Sequence, residues 1–204
     1  PLPRLLKTCI DLLLTLLVGL LSLPLLLFIA LAIRLDSPGP IFYGHTRLGR
    51  KGRFFKAWKF RTMAPNADEQ LEQYFNLHPD LKDQWLRDHK LKHDPRLTRV
   101  GQFLRRTSLD ELPQLWNVLQ GEMSLVGPRP IVAAEIDRYE EKFSLYKKVK
   151  PGITGLWQVS GRNNISYEER VNLDAYYVRN WSVWLDLYIL LRTVWVVITA
   201  EGAY

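Results

Sequence analysis

The sequence predicts a mainly α-helical protein with short β-strands, an α+β fold, that is monotopic, meaning attached to one face of a membrane. Residues 12–33 form one long apolar run without a charged side chain. Residues 109–119 and 131–148 have apolar side chains at helical spacing. Short runs rich in β-branched and aromatic residues, such as 41–43, 56–61 and 156–159, are typical of strands.

Composition limits the class of protein. With 204 residues, 47% hydrophobic and 24% charged, the chain is long enough to bury a core and is not disordered. A single Cys excludes an intrachain disulfide framework and fits a reducing compartment. The formal net charge of +7 points to anionic partners: nucleic acid, anionic lipid or phosphorylated substrates. The sequence does not begin with Met, so further membrane domains before residue 1 stay open.

The apolar run is long enough as a helix to cross the roughly 30 Å core of a bilayer. Pro24 lies near its midpoint and Ser22 just before it, which predicts a kink because proline removes a backbone hydrogen bond. Basic residues flank both ends, so the positive-inside rule draws both ends toward the cytoplasm. We therefore expect residues 1–35 to form a re-entrant helix; a kinked helix that spans the membrane is the alternative.

The rest of the chain, residues 36–204, is expected to form one domain on the cytoplasmic face of the membrane, with amphipathic interfacial helices. Residues 64–99 are interpreted as a polar helical insertion. Within it, His89 and His93 have a spacing that can bind zinc, but a solvated helix face is the better interpretation. Residues 47–61 mix cations with aromatic side chains. Beside a membrane segment this pattern favours lipid headgroups and a phosphorylated substrate over nucleic acid.

The most informative stretch is residues 107–119, where Asp110 and Glu111 precede a short amphipathic helix. Pro113 suits the first turn of that helix and Gly121 its end. The helix dipole would then favour ionised carboxylates. The alternative is a capping box, in which Ser108 and Glu111 satisfy each other's backbone donors.

Three later segments carry further expectations. Arg129 lies between two prolines, which would hold a guanidinium ready for a phosphate; the alternative is a rigid surface turn. Residues 131–148 are predicted to form one amphipathic helix and residues 156–159 a strand. Residues 185–198 are expected to lie on the bilayer or against the first helix. The Trp and Tyr side chains of residues 176–195 suit a belt at the level of the lipid headgroups.

Taken together, these motifs resemble the bacterial sugar transferase family, the monotopic phosphoglycosyl transferases, over essentially the whole chain. The finer match is to undecaprenyl-phosphate galactose phosphotransferases. Each motif alone is weak, and their number and order are specific. The resemblance rests on the membrane helix with Pro24 and on Arg47-Leu48-Gly49, Lys59-Phe60-Arg61-Thr62-Met63, Ser108-Leu109-Asp110-Glu111-Leu112-Pro113-Gln114, Gly127-Pro128-Arg129-Pro130, Pro151-Gly152-Ile153-Thr154-Gly155 and Gly161-Arg162-Asn163.

The resemblance implies that a UDP-hexose donates hexose-1-phosphate, by this finer match galactose-1-phosphate, to undecaprenyl phosphate and releases UMP. This would be the first membrane step of O-antigen, capsule or exopolysaccharide synthesis. It implies that Asp110 attacks the β-phosphoryl group to give an aspartyl-phosphosugar, and that Glu111 and Mg²⁺ complete the centre, with both carboxylates as metal ligands. The expected phosphate-binding cations are Lys59, Arg105, Arg129, Arg47 and Arg162.

Two rival functions are weighed against this one. A catalytically silent scaffold of the same fold does not need the intact pair Asp110 and Glu111. A membrane-tethered nucleic-acid binder would explain the basic patch, but we expect no nucleic-acid partner. The expected partners are the UDP-hexose, undecaprenyl phosphate and membrane lipids; which hexose is used and whether a homodimer forms stay open.

Overall fold

The computed structural model describes residues 2–88, 91, 94–161 and 165–199. Helices and short strands alternate along the chain, as the α+β prediction requires. The helices are α1 (Leu2–Asp36), α2 (Ala67–Leu77), α3 (Pro79–Asp88), α4 (Arg99–Thr107), α5 (Gln114–Leu119), α6 (Ile136–Tyr139), α7 (Phe143–Tyr146), α8 (Leu156–Ser160), α9 (Tyr167–Asn180) and α10 (Val183–Ile198). The strands are β1 (Phe42–Leu48), β2 (Phe54–Phe60), β3 (Ser124–Val126) and β4 (Gly152–Thr154).

The first helix is the predicted apolar element. Among the described residues, Pro3–Asp36 is the one helix long and apolar enough to cross a membrane, with a mean hydropathy of 2.8. Only 11% of its most apolar part is buried, so α1 is not the core helix of a soluble protein. The helix runs through Pro24, and Ser22 Oγ donates a hydrogen bond to the carbonyl oxygen of Gly19 at 3.2 Å. Helix α1 is therefore long and apolar enough to lie in a membrane.

Both ends of α1 contact the globular part of the protein. Near the N-terminus, Lys7 Nζ lies 2.6 Å from Asp186 Oδ2 on α10, and Asp11 Oδ2 accepts a 2.7 Å hydrogen bond from Ser124 Oγ on β3. Near the other end, Ile33 is 2% exposed in an apolar cluster with residues of β2 and α4. The interaction of α10 with the first helix is as predicted.

Strands β1 and β2 form an antiparallel hairpin. The pairs Tyr43–Lys59 and Arg47–Phe55 have their side chains on the same face, since directly opposite residues in a ladder share a face. Strands β3 and β4 pair in parallel. The backbones of Gly127 and Gly152 approach so closely here that a Cβ on Gly152 would lie 2.1 Å from Gly127 N, which only glycine allows.

The short helix α5 packs between α1 and the hairpin. Asn117 at its centre is 0% exposed and ties α5 to β2: its Oδ1 accepts from Trp58 N at 3.0 Å and its Nδ2 donates to Lys56 O at 2.8 Å. Leu115 and Val118 join the main core on the same side. The residues next to α5 are therefore held firmly against β2.

The prediction of a strand at residues 156–159 is wrong, because these residues form helix α8. Leu156, Trp157 and Val159 are all buried, and a short apolar run buried on every side has no periodicity that separates strand from helix. The strand is instead Gly152–Thr154, within the Pro151-Gly152-Ile153-Thr154-Gly155 motif, where a proline and two glycines obscure a strand pattern.

The prediction of one helix over residues 131–148 is also wrong. Short helices α6 and α7 are interrupted at Glu140, whose φ of 47° and ψ of −131° are not helical. The break lets two buried tyrosines point to different partners: Tyr139 OH donates to Asp174 Oδ2 at 2.7 Å, and Tyr146 OH to Leu48 O at 2.6 Å. Tertiary hydrogen bonds have thus overridden an amphipathic pattern.

The polar insertion contains two helices. Helix α2 buries no residue, and Phe75 contacts Trp85 of α3 with ring centroids 6.4 Å apart. In the tail, Trp184 is 80% exposed and Trp195 58%. Two other aromatic side chains assigned to the belt face the protein instead: Tyr177 is 2% exposed, and both Tyr177 and Trp181 donate hydrogen bonds to Asp186.

Candidate active site

The acidic pair lies in an irregular turn between two helices. Helix α4 ends at Ser108, whose φ of 58° lies in the left-handed region, and residues Leu109–Glu111 form one turn of 3-10 helix before α5 begins at Gln114. The reversal turns both carboxylates toward β2. The capping-box alternative is wrong: Ser108 makes no side-chain capping bond, and Glu111 bonds a lysine instead.

Lys59 of β2 holds the two carboxylates together. Its Nζ lies 2.6 Å from Glu111 Oε1 and 3.5 Å from Asp110 Oδ2. The Asp110 side chain is 10% exposed, that of Glu111 22% and that of Lys59 24%. This is one compact, partly desolvated centre in which an ammonium balances two neighbouring acids.

The pKa values of the two acids are shifted in opposite directions. Burial raises the pKa of Asp110 above its ordinary value; Lys59 and Arg105 oppose that rise, and the Glu111 charge adds to it. Burial also acts on Glu111, but the charges of Lys59, Arg129 and Arg47 outweigh it and lower its pKa to about 2. Glu111 is therefore the stronger acid of the pair, and the Asp110 carboxylate is the more basic of the two.

Three arginines predicted from sequence surround this centre. Arg105 Nε donates to Thr62 Oγ1 at 3.1 Å, and its guanidinium acts on Asp110. Arg47 Nη1 donates to Pro130 O at 3.2 Å. Arg129 lies with its guanidinium 5.7 Å from the ring centroid of Trp157, a cation–π contact.

Arg47 and Arg129 reach the centre by different routes. The charges of both act on Glu111, although one side chain comes from the hairpin and the other from the Pro-Arg-Pro turn after β3. They also repel each other. Burial lowers the pKa of Arg47 most, and the charge of Arg129 lowers it further. Two like charges kept close to one carboxylate can bind an anion with more than one negative charge.

Two other predictions cannot be compared with the structure. Arg162, the fifth expected phosphate-binding cation, lies outside the described residues, as do His89 and His93. Within the described ranges, no group of three or more His, Cys, Asp or Glu side chains could hold a metal ion. The available donor set at the centre is the pair Asp110 and Glu111.

A small cavity of about 20 Å³ opens beside Glu111, Lys59 and Arg129 and is lined by three polar residues that the sequence analysis missed: His45, Gln114 and Gln158. Gln158 Oε1 is buried without a hydrogen-bond partner among the described residues. Gln114 is 3% exposed, on the inner side of α5. The sequence did offer a signal for Gln114, because a polar residue on the apolar face of an amphipathic helix is unusual and indicates a specific role.

Comparison with known proteins agrees with the geometry. The family model described as bacterial sugar transferase matches residues 2–200. The chain is 53% identical over 201 residues to a UDP-galactose-lipid carrier transferase of Erwinia amylovora. It is 48% identical over 201 residues to the undecaprenyl-phosphate galactose phosphotransferase of Salmonella typhimurium. It is 43% identical over 209 residues to the UDP-glucose:undecaprenyl-phosphate glucose-1-phosphate transferase of Escherichia coli.

Each of these matches covers 98% of the chain but 42% of the relative, so the chain spans less than half the length of these proteins. The matched part includes the acidic turn, the hairpin with Lys59 and the membrane helix. On the family match and this level of identity, the chain belongs to the bacterial sugar transferase family.

Proposed function

We propose that this chain transfers hexose-1-phosphate from a UDP-hexose to undecaprenyl phosphate and releases UMP. The observation that carries the proposal is the buried pair Asp110 and Glu111 held against Lys59. Carboxylates flanked by fixed cations suit transfer between two phosphorylated substrates, since the cations offset the repulsion between them. The relatives named for lipid-carrier and undecaprenyl-phosphate transfer support the choice of substrates.

In the first step, an Asp110 carboxylate oxygen attacks the β-phosphorus of the UDP-sugar. The bond between that phosphorus and the oxygen bridging to the α-phosphate breaks, and UMP leaves with the electron pair. Arg129 and Arg47 are near enough to Glu111 to stabilise the phosphoryl oxygens as charge builds up. The product is an aspartyl-phosphosugar, which divides one difficult transfer into two easier ones.

In the second step, a phosphate oxygen of undecaprenyl phosphate attacks the same phosphorus. The acyl-phosphate bond breaks and returns the Asp110 carboxylate, giving undecaprenyl-diphosphate-hexose. No proton has to be moved, because the attacking phosphate is already an anion. Lys59 and Arg105, whose charges favour the ionised form of Asp110, stabilise the carboxylate as it leaves in the second step.

The donor set fits Mg²⁺. This ion usually binds through one or two carboxylates together with substrate phosphates and keeps several waters, which is what two neighbouring acids beside phosphate-binding cations offer. When bound at Asp110 and Glu111, it would supply further positive charge to the diphosphate. Lys59 would then hold the carboxylates in place from the side.

The test is to incubate the full chain with UDP-galactose alone and measure the mass of the peptide containing residue 110. We expect an added hexose phosphate on that peptide in the parent chain and none in Asp110→Asn, which should also release no UMP. Asp137→Asn, which changes an exposed acid on α6, is the matched control. UMP release without added mass would reject the covalent route. The absence of both UMP release and added mass would favour the silent scaffold.

Galactose is the proposed sugar because two of the three relatives above are named for it, against one for glucose. UMP release measured across UDP-galactose, UDP-glucose and UDP-N-acetylhexoses with undecaprenyl phosphate decides this point. A preference for UDP-glucose would overturn the choice of galactose while leaving the transfer reaction intact.

We also propose that α1 is re-entrant and that the active site faces the cytoplasm. Support comes from both halves of the helix: Lys7 pairs with Asp186, and Ile33 is buried with the body of the protein. One globular domain cannot contact both ends of a straight helix of about 52 Å that crosses from one side of a bilayer to the other.

Cysteine labelling tests this topology. Cys9 is exposed near the first end of α1, and Leu35, 78% exposed, lies at the other. A membrane-impermeant maleimide should label Cys9, and also a Leu35→Cys variant in a Cys9→Ser background, in inside-out vesicles but not in intact spheroplasts. Labelling of the two positions from opposite sides would show a spanning helix.

A further inference from the structure

A second cavity lies at the far end of α5 from the acidic pair. Its volume is about 390 Å³, far larger than that of the cavity beside Glu111. One wall is the loop that joins β1 to β2, and the other is the chain that follows α5. Its lining side chains include Arg50, Lys51, Arg53, Phe54, Glu122 and Lys150.

The cavity is strongly cationic. Among the described residues, none of its four cations (Arg50, Lys51, Arg53 and Lys150) lies within 4.0 Å of a carboxylate. Its single acid, Glu122, is already engaged, since Oε2 accepts a 2.6 Å hydrogen bond from Asn117 Nδ2. The cavity lining therefore carries a net positive charge, with four cations against the one carboxylate of Glu122.

The loop that carries three of these cations is fixed in shape. Gly49 N donates to Arg53 O at 2.8 Å, and Lys51 N donates to Lys147 O at 2.9 Å, which ties the loop to the end of α7. Lys51 has a φ of 61°, in the left-handed region that a non-glycine residue rarely adopts. The backbone of the loop is thus organised in advance, so ligand binding would not have to order it.

This cavity is separate from the proposed transfer centre. Gln114 lines the small cavity and Gln120 the large one, six residues or about 9 Å apart along α5. Between them on that helix, Leu115 and Val118 are packed in the core with Phe55. A ligand in one cavity is therefore kept from the other by packed side chains.

The cavity lies beside the membrane helix. Strand β3 connects Lys150 to that helix: Ser124 N donates to the carbonyl oxygen of Pro151, the residue after Lys150, at 2.9 Å, and Ser124 Oγ donates to Asp11 Oδ2 of α1 at 2.7 Å. On the rim, Phe54 is 62% exposed. Trp116 and Leu119 of α5 are also exposed, at 55% and 37%. A cationic cavity with an exposed aromatic side chain in its lining, and with exposed apolar side chains on the adjoining helix α5, matches the headgroup region, where phosphate and acyl chain meet.

We infer that this cavity is a second anion site, distinct from the transfer centre, which binds a phosphate group carried by a membrane lipid such as an anionic phospholipid. The cations supply the charge for the phosphate, and the exposed aromatic and aliphatic side chains contact the adjoining lipid chain. The inference does not depend on the proposed transfer reaction.

Binding is measured with the full chain carrying Cys9→Ser and Gln120→Cys, labelled at residue 120 with an environment-sensitive fluorophore. The chain is titrated with short-chain phosphatidylglycerol, short-chain phosphatidylcholine and inorganic phosphate. We expect saturable binding of phosphatidylglycerol, weaker binding of phosphatidylcholine and weakest binding of phosphate. Arg50→Gln should weaken phosphatidylglycerol binding about fivefold, the usual effect of one cation near an anionic surface.

Lys150→Gln should have a similar effect, and Lys148→Gln, which changes an exposed lysine outside the lining, should have none. Arg50 is exposed, so its substitution tests the site even if Lys150→Gln perturbs folding. Equal affinity for phosphatidylglycerol and inorganic phosphate would overturn the lipid assignment. Insensitivity to Arg50→Gln would overturn the site itself. Tighter binding of an RNA oligomer that the same variants weaken would overturn the lipid assignment.

Discussion

Lys59 Nζ donates a 2.6 Å hydrogen bond to Oε1 of Glu111, across the boundary between the β-hairpin and the acidic turn. The same ammonium is 3.5 Å from Asp110, so a single side chain sets the charge balance of two acids. Adjacent carboxylates repel each other, and without this cation the pair could not both stay ionised at low cost.

Replacing Lys59 should therefore damage the reaction more than the fold. We expect Lys59→Gln to lower the rate of UMP release roughly a hundredfold, because a cation aimed at the developing charge is lost. Lys59→Arg, which keeps the charge, should recover part of it. The matched control is Lys56→Gln, an exposed residue on the same strand. A Lys59→Gln rate equal to that of the control would contradict this role.

Arg129 is predicted to need its guanidinium and not only its charge. The group lies over the ring of Trp157 and near Glu111, and a lysine ammonium cannot both stack and bind phosphate through a planar fork. We expect Arg129→Gln to reduce kcat for UMP release roughly a hundredfold and Arg129→Lys to restore only a small part. Arg138→Gln is the control, since Arg138 also stacks on an aromatic ring, 4.9 Å from that of Tyr167. Full activity of Arg129→Lys would show that charge alone suffices.

Asn117 is predicted to be a stability residue. Asn117→Ala would leave the buried Trp58 N–H and Lys56 carbonyl without their partners, at a cost of about 2 kcal/mol or more. The melting temperature in detergent should fall by several degrees. Asn180→Ala, whose side chain bonds only within its own helix at the surface, should change it little. Equal melting temperatures for the two variants would mean that α5 is not held to β2 by this residue.

Asp174 should make stability depend on pH. It is 2% exposed, and burial raises its pKa to about 7 despite the opposing effects of Tyr139 and Arg129. The folded state then keeps a proton that the unfolded state has released, so this group stabilises the fold at low pH. That contribution is lost as the pH rises from 3.8 through about 7.

The measurement is the free energy of unfolding as a function of pH for the parent chain and Asp174→Asn. The amide keeps an oxygen for the Tyr139 hydroxyl but cannot ionise. The parent should lose stability relative to the variant over this interval, by an amount on the order of a few kcal/mol. Parallel profiles would show that Asp174 is ionised, or neutral, throughout.

Much of the architecture could be predicted from local patterns. The membrane helix, the strand at residues 56–61 and the helices of the insertion each have a periodicity of their own, and all are present. The start of α5 after Pro113 was also predictable, because proline is tolerated in a first turn and not later. The errors at residues 131–148 and 156–159 have a common cause: those segments take their conformation from partners distant in sequence.

The amino-acid sequence establishes which chemical groups this protein carries: an apolar helix suited to a membrane, two neighbouring acids, and cations in motifs specific to one family. How these groups come together follows from the folded chain. The acidic turn lies about fifty residues after the hairpin and fewer than twenty before the Pro-Arg-Pro turn, and packing of α5 through Asn117 brings Lys59 within 2.6 Å of Glu111. The interaction between two charges depends on their separation in space, which the order of residues along a chain does not give.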